Sequence, residues 1–484
     1  MTDERHRTRA LAVPLVFTAG FLAFALLDSV RQNASLLRAF LVVSAALIVW
    51  NALLLGSARR AGRTLTLEIV LRTQHYLQAC AQGSVLLYWG WYWRPVYDQA
   101  FLIVAQLLFA YAFDMLLAWS RRDTYTLGFA PFPVIFSINL FLWFKPDWFY
   151  LQLLMVALGF AAKELIRWNR EGRRVHIFNP SSFPLAVFSL GLLLTGRSDL
   201  TWGREIASTQ FYPPHMFLML FLIGLPGQYF FGVTSMTMSA VVTTYLFGLA
   251  YHAATGIYFF YDSYIPIAVF LGMHLLFTDP STSPRTELGR VIFGALYGLT
   301  TIALYELLGA AGLPTFYDKL LQVPILNLSI MLIDRVARSS LLRPVDPARL
   351  ARWLAPRQRH LAYMSVWTIV FTMMSAGQGV GDSHPGQWLP FWLQACGDQR
   401  RYACPYLETV VSSRCDSGSG WACHELAILQ AGRTGELGSA PPTLEDYPII
   451  LRGSKGPITE RSPAALEALA CREGWPGTCE RGER

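Results

Sequence analysis

Phe40-Leu41-Val42-Val43-Ser44-Ala45-Ala46-Leu47-Ile48-Val49-Trp50-Asn51-Ala52-Leu53-Leu54-Leu55 contains no charged residue. It closes the longer stretch Leu36–Leu55, which has the roughly 20 mainly apolar residues a helix needs to cross a bilayer. A helix of a soluble core carries a polar stripe at the 3.6-residue period, and this run is apolar all round. Leu11–Leu27, Ala100–Trp119 and Ile257–Phe277 repeat the pattern. The chain has 484 residues, 53% hydrophobic and 15% charged, where soluble proteins carry about 25% charged residues. These features predict an all-α, polytopic integral membrane protein.

Extending the same criterion gives about thirteen spans, near 10–28, 36–55, 66–92, 99–119, 126–144, 147–166, 181–195, 214–231, 234–251, 257–277, 289–309, 322–337 and 358–376. Leu11–Leu27 is followed by further spans and not by a small-residue cleavage site, so it reads as an uncleaved first helix. The net charge of +8 is unevenly spread. Arg5, Arg7 and Arg9, then Arg59, Arg60 and Arg63, then Arg121 and Arg122 fall in alternate loops. Lys163, Arg167, Arg170, Arg173 and Arg174, then Arg285 and Arg290, then the arginine-rich stretch from Arg335 to Arg359 continue the alternation. The positive-inside rule makes these loops and the amino terminus cytoplasmic. An odd number of spans then places the carboxyl-terminal tail outside, in the periplasm of a bacterial inner membrane. Basic residues at span ends are explained by topology, so nucleic acid is not an expected partner.

Cysteine supports that placement. Six of the seven cysteines lie in the tail, beyond Met374-Ser375-Ala376-Gly377, and disulfides need an oxidising compartment. Cys396 and Cys404, Cys415 and Cys423, and Cys471 and Cys479 share one C-x7-C spacing. A turn of this length brings two Cα atoms within the roughly 4.4–6.8 Å a disulfide requires, which predicts local pairing. A zinc site is the competing reading, with His424 beside Cys423, although the spacing is wider than in most structural zinc sites. Short helical patterns follow at Pro405–Ser412 and His424–Gln430, and Trp388 and Trp392 suit a membrane–water interface. The tail looks like a short, degenerate form of the Sel1-like helical repeats, whose inter-helix turns carry C-x7-C bridges. That likeness implies a protein partner.

Two proline-containing segments stand out in the apolar region. Phe178-Asn179-Pro180-Ser181-Ser182-Phe183 opens one span, with cap residues followed by a proline suited to a first helical position. Phe277-Thr278-Asp279-Pro280-Ser281-Thr282-Ser283-Pro284 closes another, followed by Gly289-Arg290-Val291-Ile292-Phe293-Gly294-Ala295-Leu296-Tyr297-Gly298. Both fit interrupted helices whose ends face a cavity, and both equally fit ordinary helix starts at the membrane surface. In order and approximate spacing these segments resemble those of the RnfD/NqrB family of membrane electron-transport subunits. A weaker likeness, in His75-Tyr76-Leu77-Gln78 and Tyr88-Trp89-Gly90-Trp91-Tyr92-Trp93, is to RnfD-like proteins encoded in enediyne biosynthesis gene sets. The resemblance implies a core of two inverted repeats, like that of urea and ammonium transporters. It also implies flavin-linked electron transfer, coupled in some members to cation movement, with partner subunits.

Covalent flavin in that family is joined to the threonine of an S-G-A-T motif, which is absent here. The corresponding outer loop reads Gly203-Arg204-Glu205-Ile206-Ala207-Ser208-Thr209-Gln210-Phe211, so any flavin (FMN or riboflavin) or quinone is expected to be held noncovalently. The cofactor contacts expected from the sequence are Asn179, Thr278 and Asp279 at the helix breaks. His75, Gln78 and Gln82 join them, sharing one helix face at i, i+3 and i+7. Hydrogen bonding between helices would account for those three equally well. Trp89–Trp93 reads as an interfacial aromatic belt, and Asp114, Glu164, Glu306 and Asp334 lie near span ends. His274 reads as a packing residue or a member of a proton path. No P-loop, G-x-S-x-G, H-E-x-x-H or C-x-x-C occurs, which removes the ATPase, hydrolase and thiol-redox classes.

The expected organisation is two extra transmembrane helices over 1–65, an RnfD/NqrB-like core over 66–310, further helices with a basic cytoplasmic loop over 311–380, and the tail over 385–484. Electron transfer is the leading function. A small-solute or ion transporter on the same fold, and an assembly factor acting through the tail, are the alternatives.

Overall fold

The computed structural model describes residues 2–210, 213–255, 258–260, 263–377, 379–381, 389–400, 403–416, 418–438, 458 and 460–479; for 2–11, 350, 413 and 477 only the backbone is described. It is 74% helical with almost no sheet. The helices are α1 (Thr2–Ala23), α2 (Ala34–Arg60), α3 (Thr73–Tyr92), α4 (Ala100–Arg121), α5 (Pro131–Phe141), α6 (Phe149–Leu165), α7 (Ser182–Thr195), α8 (Gly203–Thr209), α9 (Met216–Phe231) and α10 (Thr234–Thr255). They continue with α11 (Ile267–Leu275), α12 (Glu287–Ala310), α13 (Val323–Ala337), α14 (Pro356–Ala376), and, in the tail, α15 (Leu389–Gly397), α16 (Ala403–Asp416), α17 (Gly420–Gln430) and α18 (Pro463–Arg472).

Among the described residues, four helical segments are long and apolar enough to cross a membrane: Ala34–Arg60, Ala100–Arg121, Pro146–Leu165 and Glu287–Ala310. Each remaining expected span also contains a helix, but several are short, with 11 residues in α5 and 9 in α11. The span expected over 66–92 is corrected at its start. Thr66–Ile69 is a strand, β1, paired in parallel with β2 (Thr124–Leu127). Apolarity alone does not separate a strand from a helix extension, and Thr66, Leu67, Glu68 and Ile69 already alternate. The span expected over 126–144 likewise divides into the end of β2 and the short α5. The first part of the 257–277 span falls partly outside the described residues, and its helix begins only at Ile267.

The helices are apolar on both faces. On α2, Leu36, Phe40, Leu47 and Leu54 are buried together with Ser44 and Asn51, whereas Leu41, Val42, Ile48, Val49 and Leu53 face outward. Ile325, Leu328, Met331 and Leu332 do the same on α13, and Val366, Ile369 and Met373 on α14. Inside, Gln106 of α4, Asn139 of α5 and Gln152 of α6 form a closed polar knot. Asn139 Nδ2 donates to Gln106 Oε1 at 2.9 Å, Gln106 Nε2 donates back to Asn139 Oδ1 at 3.1 Å, and Gln152 Nε2 donates to Gln106 Oε1 at 3.1 Å. Buried amides so placed hold neighbouring helices in register because each would be costly to leave unpaired.

An extensive contact joins α10 to α12 and explains the glycines of the G-A-x-x-G stretch. A Cβ on Gly294 would lie 2.1 Å from the Met236 carbonyl oxygen, and one on Gly298 would lie 2.9 Å from that of Ala240. Small residues four apart let two backbones approach in this way.

The tail packs three helices around Trp421, Leu426, Leu407 and Leu466 and docks α16 against α8. Disulfides join Cys396 to Cys404, Cys415 to Cys423, and Cys471 to Cys479, with Cα separations of 4.6, 4.7 and 5.0 Å. The helices are longer than the sequence patterns Pro405–Ser412 and His424–Gln430, and each of the first two bridges closes the turn before one of them. Trp392 is buried against Tyr406 and not at a surface, since the tail needs it for its own core; Trp388 lies outside the described residues.

Glu425 is buried in that core, its carboxylate accepting from the Gly438 amide at 3.1 Å. Burial pushes its carboxyl up to about 7, against the smaller opposing effect of that amide. A raised folded value means that the neutral acid favours folding. The contribution is fully present below the ordinary value of 4.5 and is lost as pH rises through about 7. A shift of this size corresponds to roughly 3 kcal/mol. Proteolysis of the tail in the intact, detergent-solubilised protein is therefore expected to speed up between pH 5 and pH 8 by more than trypsin's own pH dependence. Glu425→Gln is expected to flatten the excess, and an unchanged profile in that variant would remove Glu425 as the cause.

Candidate functional site

The two proline-containing segments meet in space. Asn179 Nδ2 donates to the Leu276 carbonyl at 3.0 Å, at the carboxyl end of α11, across 97 residues of sequence. Asn179 Oδ1 accepts from the Ser181 amide and hydroxyl at 2.9 and 2.7 Å and from the Ser182 amide at 3.1 Å, capping α7. Asn327 of α13 completes the join, accepting from the Asn179 amide at 3.1 Å and donating to the Thr282 carbonyl at 3.0 Å. Gln82 of α3 adds a third contact, donating to Ser137 Oγ at 2.6 Å and to the Leu275 carbonyl at 3.2 Å. The carbonyls at the end of the short α11 are thus taken up by side chains from α3 and from the segment before α7, as buried backbone demands.

Beside this junction lies a cavity of about 460 Å³, within the range of small-molecule and cofactor sites. His75, Gln78, Asn179 and Asp279 line it, together with Val134, Ser137, Pro180 and Ser181. Three helix amino termini converge there: α3 through Arg72 and His75, α5 through Ala130 and Pro133, and α7 through Asn179 and Ser181. The link from β1 to α3, the link from β2 to α5 and the hairpin of β3 (Arg167–Arg170) and β4 (Arg173–His176) form its rim.

The six residues singled out by sequence divide into two groups. Asn179, Gln82 and Thr278 are buried and bonded within the protein, Thr278 to the His274 carbonyl at 3.0 Å; Gln82 and Thr278 do not line the cavity. Asp279 faces the cavity while its carboxylate accepts from the Ser281 amide at 2.9 Å and lies 3.3 Å from His176 Nε2. Burial raises its carboxyl, but His176, the Ser281 amide and the Thr282 hydroxyl outweigh that and hold it below the usual carboxylate value. His75 and Gln78 line the space and have no side-chain hydrogen bond to another described residue. They are the groups best able to meet a ligand.

Other expected residues fall elsewhere. His274 is buried, with Nδ1 2.8 Å from the Phe270 carbonyl, and packs against Phe270 and Trp367 outside the cavity. Trp89 and Trp93 are buried and stacked at 4.9 Å, continuing to Trp202 and Trp143, so only the exposed Trp91 suits a surface belt. Thr209 is fully buried in α8, its hydroxyl accepting from Trp89 Nε1 at 3.0 Å. Asp114, Glu164 and Asp334 are all largely buried; Asp334 lies against Arg170 and receives the amides of Arg285 and Thr286.

The sequence reading missed the rim. Arg72, Lys163, Arg167 and Arg174 line the cavity, where charge placement alone assigns such residues to topology. Phe129-Ala130-Pro131-Phe132-Pro133 carried a usable signal, since two prolines at the start of an apolar run mark a helix break as Asn179-Pro180 does. No family model, curated protein or solved structure matches this chain.

Proposed function

We propose that this is a multi-pass membrane protein that binds a redox cofactor, flavin or quinone, noncovalently in the cavity beside its two helix breaks and passes electrons through it. The observation that carries the reading is the gathering of His75, Gln78, Asn179 and Asp279, distant in sequence, around one space. Its size suits a planar cofactor, and its floor, from Gln78, Val134 and Ser137, offers amide, apolar and hydroxyl surface to a ring system. Electron transfer itself rests on the resemblance to RnfD and NqrB. The burial of Thr209 supports noncovalent attachment, because a transferase would have to reach its hydroxyl.

The membrane fold is read as two inverted repeats within about thirteen spans. Helices α3 to α7 have 20, 22, 11, 17 and 14 residues, and α9 to α13 have 16, 22, 9, 24 and 15. The short third member of each set supports a repeat, and an odd number of elements per repeat reverses its orientation. The outward-facing leucines and isoleucines of α2, α13 and α14 supply the lipid-facing surface. The amino terminus is cytoplasmic and the disulfide-bearing tail periplasmic. Alkaline phosphatase fused after Gly435 is expected to be active, and fused after Arg122 inactive; the reverse pattern overturns this orientation.

The same repeat supports a transporter as the second reading, with the cavity as a solute site. Substitution in the cavity lining separates the two. Gln78→Leu and His75→Leu are expected to lower the co-purified cofactor at least several-fold while leaving the protein folded. Full cofactor retention in both would place the cofactor elsewhere, and solute flux in liposomes without any cofactor would favour transport.

A further inference from the structure

The charge around the cavity is unbalanced. Five cationic side chains line it, from Arg72, Arg122, Lys163, Arg167 and Arg174, against two carboxylates, Asp114 and Asp279. Most of these groups are paired. Arg122 and Arg167 share Glu164 at 2.9 and 2.6 Å, Lys163 Nζ lies 3.9 Å from Asp114 Oδ2, and His176 lies 3.3 Å from Asp279. Arg72 and Arg174 have no carboxylate within ion-pair distance among the described residues, and both stand exposed at the rim. They reach it from separate elements, Arg72 from the start of α3 and Arg174 from β4.

The helices add to this excess. The amino termini of α3, α5 and α7 all face the cavity, and each brings the positive end of a helix dipole. Pro131 and Pro133 remove two amides from the first turn of α5, and Asn179 occupies those of Ser181 and Ser182 in α7. The ends of α5 and α7 therefore supply a field more than hydrogen-bond donors; the donors that remain are the first-turn amides of α3, which has no side-chain cap, and the guanidinium groups of Arg72 and Arg174. Guanidinium forks match the oxygens of a phosphate, and an uncharged ligand would leave this potential unanswered.

We infer that the cavity binds its ligand through a phosphate group, held at the rim by Arg72 and Arg174, with the rest of the ligand directed toward Gln78, Val134 and Ser137. This rests on the cofactor reading above and sharpens it: the flavin is the phosphorylated form, FMN, and neither riboflavin nor a quinone carries the group the rim selects. Two sources could present that phosphate, a soluble mononucleotide or the headgroup of an anionic lipid, and the test separates them.

The protein would be reconstituted in nanodiscs of phosphatidylcholine and titrated with FMN and with riboflavin, following flavin fluorescence, with inorganic phosphate as competitor. FMN is expected to bind at least about tenfold more tightly than riboflavin, and inorganic phosphate to displace it. Arg72→Gln and Arg174→Gln, both at exposed positions, are expected to remove most of that preference while leaving riboflavin affinity unchanged. Equal affinity for the two flavins, or a preference untouched in both variants, overturns the phosphate site and leaves the flavin reading standing. If inorganic phosphate binds and neither flavin does, the anion site stands and the flavin reading fails. If phosphatidylglycerol in the disc abolishes FMN binding in the wild type but not in the arginine variants, the headgroup is the phosphate the site takes. No binding of FMN, phosphate or phosphatidylglycerol overturns the inference outright.

Discussion

Asp334→Ala is expected to destabilise the folded protein by about 3–5 kcal/mol, the usual consequence of removing one partner from a buried ion pair. Arg170 and Asp334 meet at 2.9 Å with side chains 6% and 9% exposed. Asp334 also accepts from the Arg285 amide at 3.1 Å and from the Thr286 amide and hydroxyl at 3.0 and 2.8 Å, while Arg170 donates to the Ser283 carbonyl at 3.0 Å. One carboxylate thus ties the hairpin before Asn179 to the loop after Asp279, and its loss strands a guanidinium and two amides. Asp334→Leu combined with Arg170→Met is expected to recover the part of the loss owed to the stranded guanidinium, and not the part owed to the Arg285 and Thr286 amides. Denaturation of the detergent-solubilised protein measures both. A loss under 1 kcal/mol in Asp334→Ala would mean that the junction is held by other contacts.

The second large effect is expected at Gly294. Alanine there must push α10 from α12, because its methyl would overlap the Met236 carbonyl. Overpacking of this kind costs about 1–3 kcal/mol, and Gly294→Val should exceed the alanine effect or abolish accumulation of the protein. Gly191, in α7, has nothing within 4 Å of a built Cβ. Gly191→Ala is therefore the control, expected to be neutral or slightly stabilising through helix propensity alone. Comparable losses at both positions would show that glycine flexibility, and not close approach, explains Gly294.

What the sequence revealed depended on the range of each interaction. The cysteine pairs were legible because a C-x7-C turn closes locally, and the structure joins the same three pairs. The helices were legible from apolar runs, yet their ends were not: β1 pairs with β2 across 58 positions, and no local pattern announces that partner. Asn179 and Asp279 were legible as helix-break residues from their prolines. Their meeting through Leu276, and the use of Asn179 for capping more than for a ligand, depend on contacts about a hundred residues apart. Arg72 and Arg174 were hidden for another reason. A cation at a span end satisfies the topology rule whether or not it also faces a cavity, so composition alone cannot separate the two roles.

The central claim is that the cavity lined by His75, Gln78, Asn179 and Asp279 holds a redox cofactor. An absorption spectrum of the wild-type protein, purified in mild detergent and followed by solvent extraction of the same sample, tests it most directly. The account predicts flavin or quinone at close to one per chain, released by denaturation with no fluorescent label left on the polypeptide. A folded protein with no flavin absorption and no extractable quinone would contradict it.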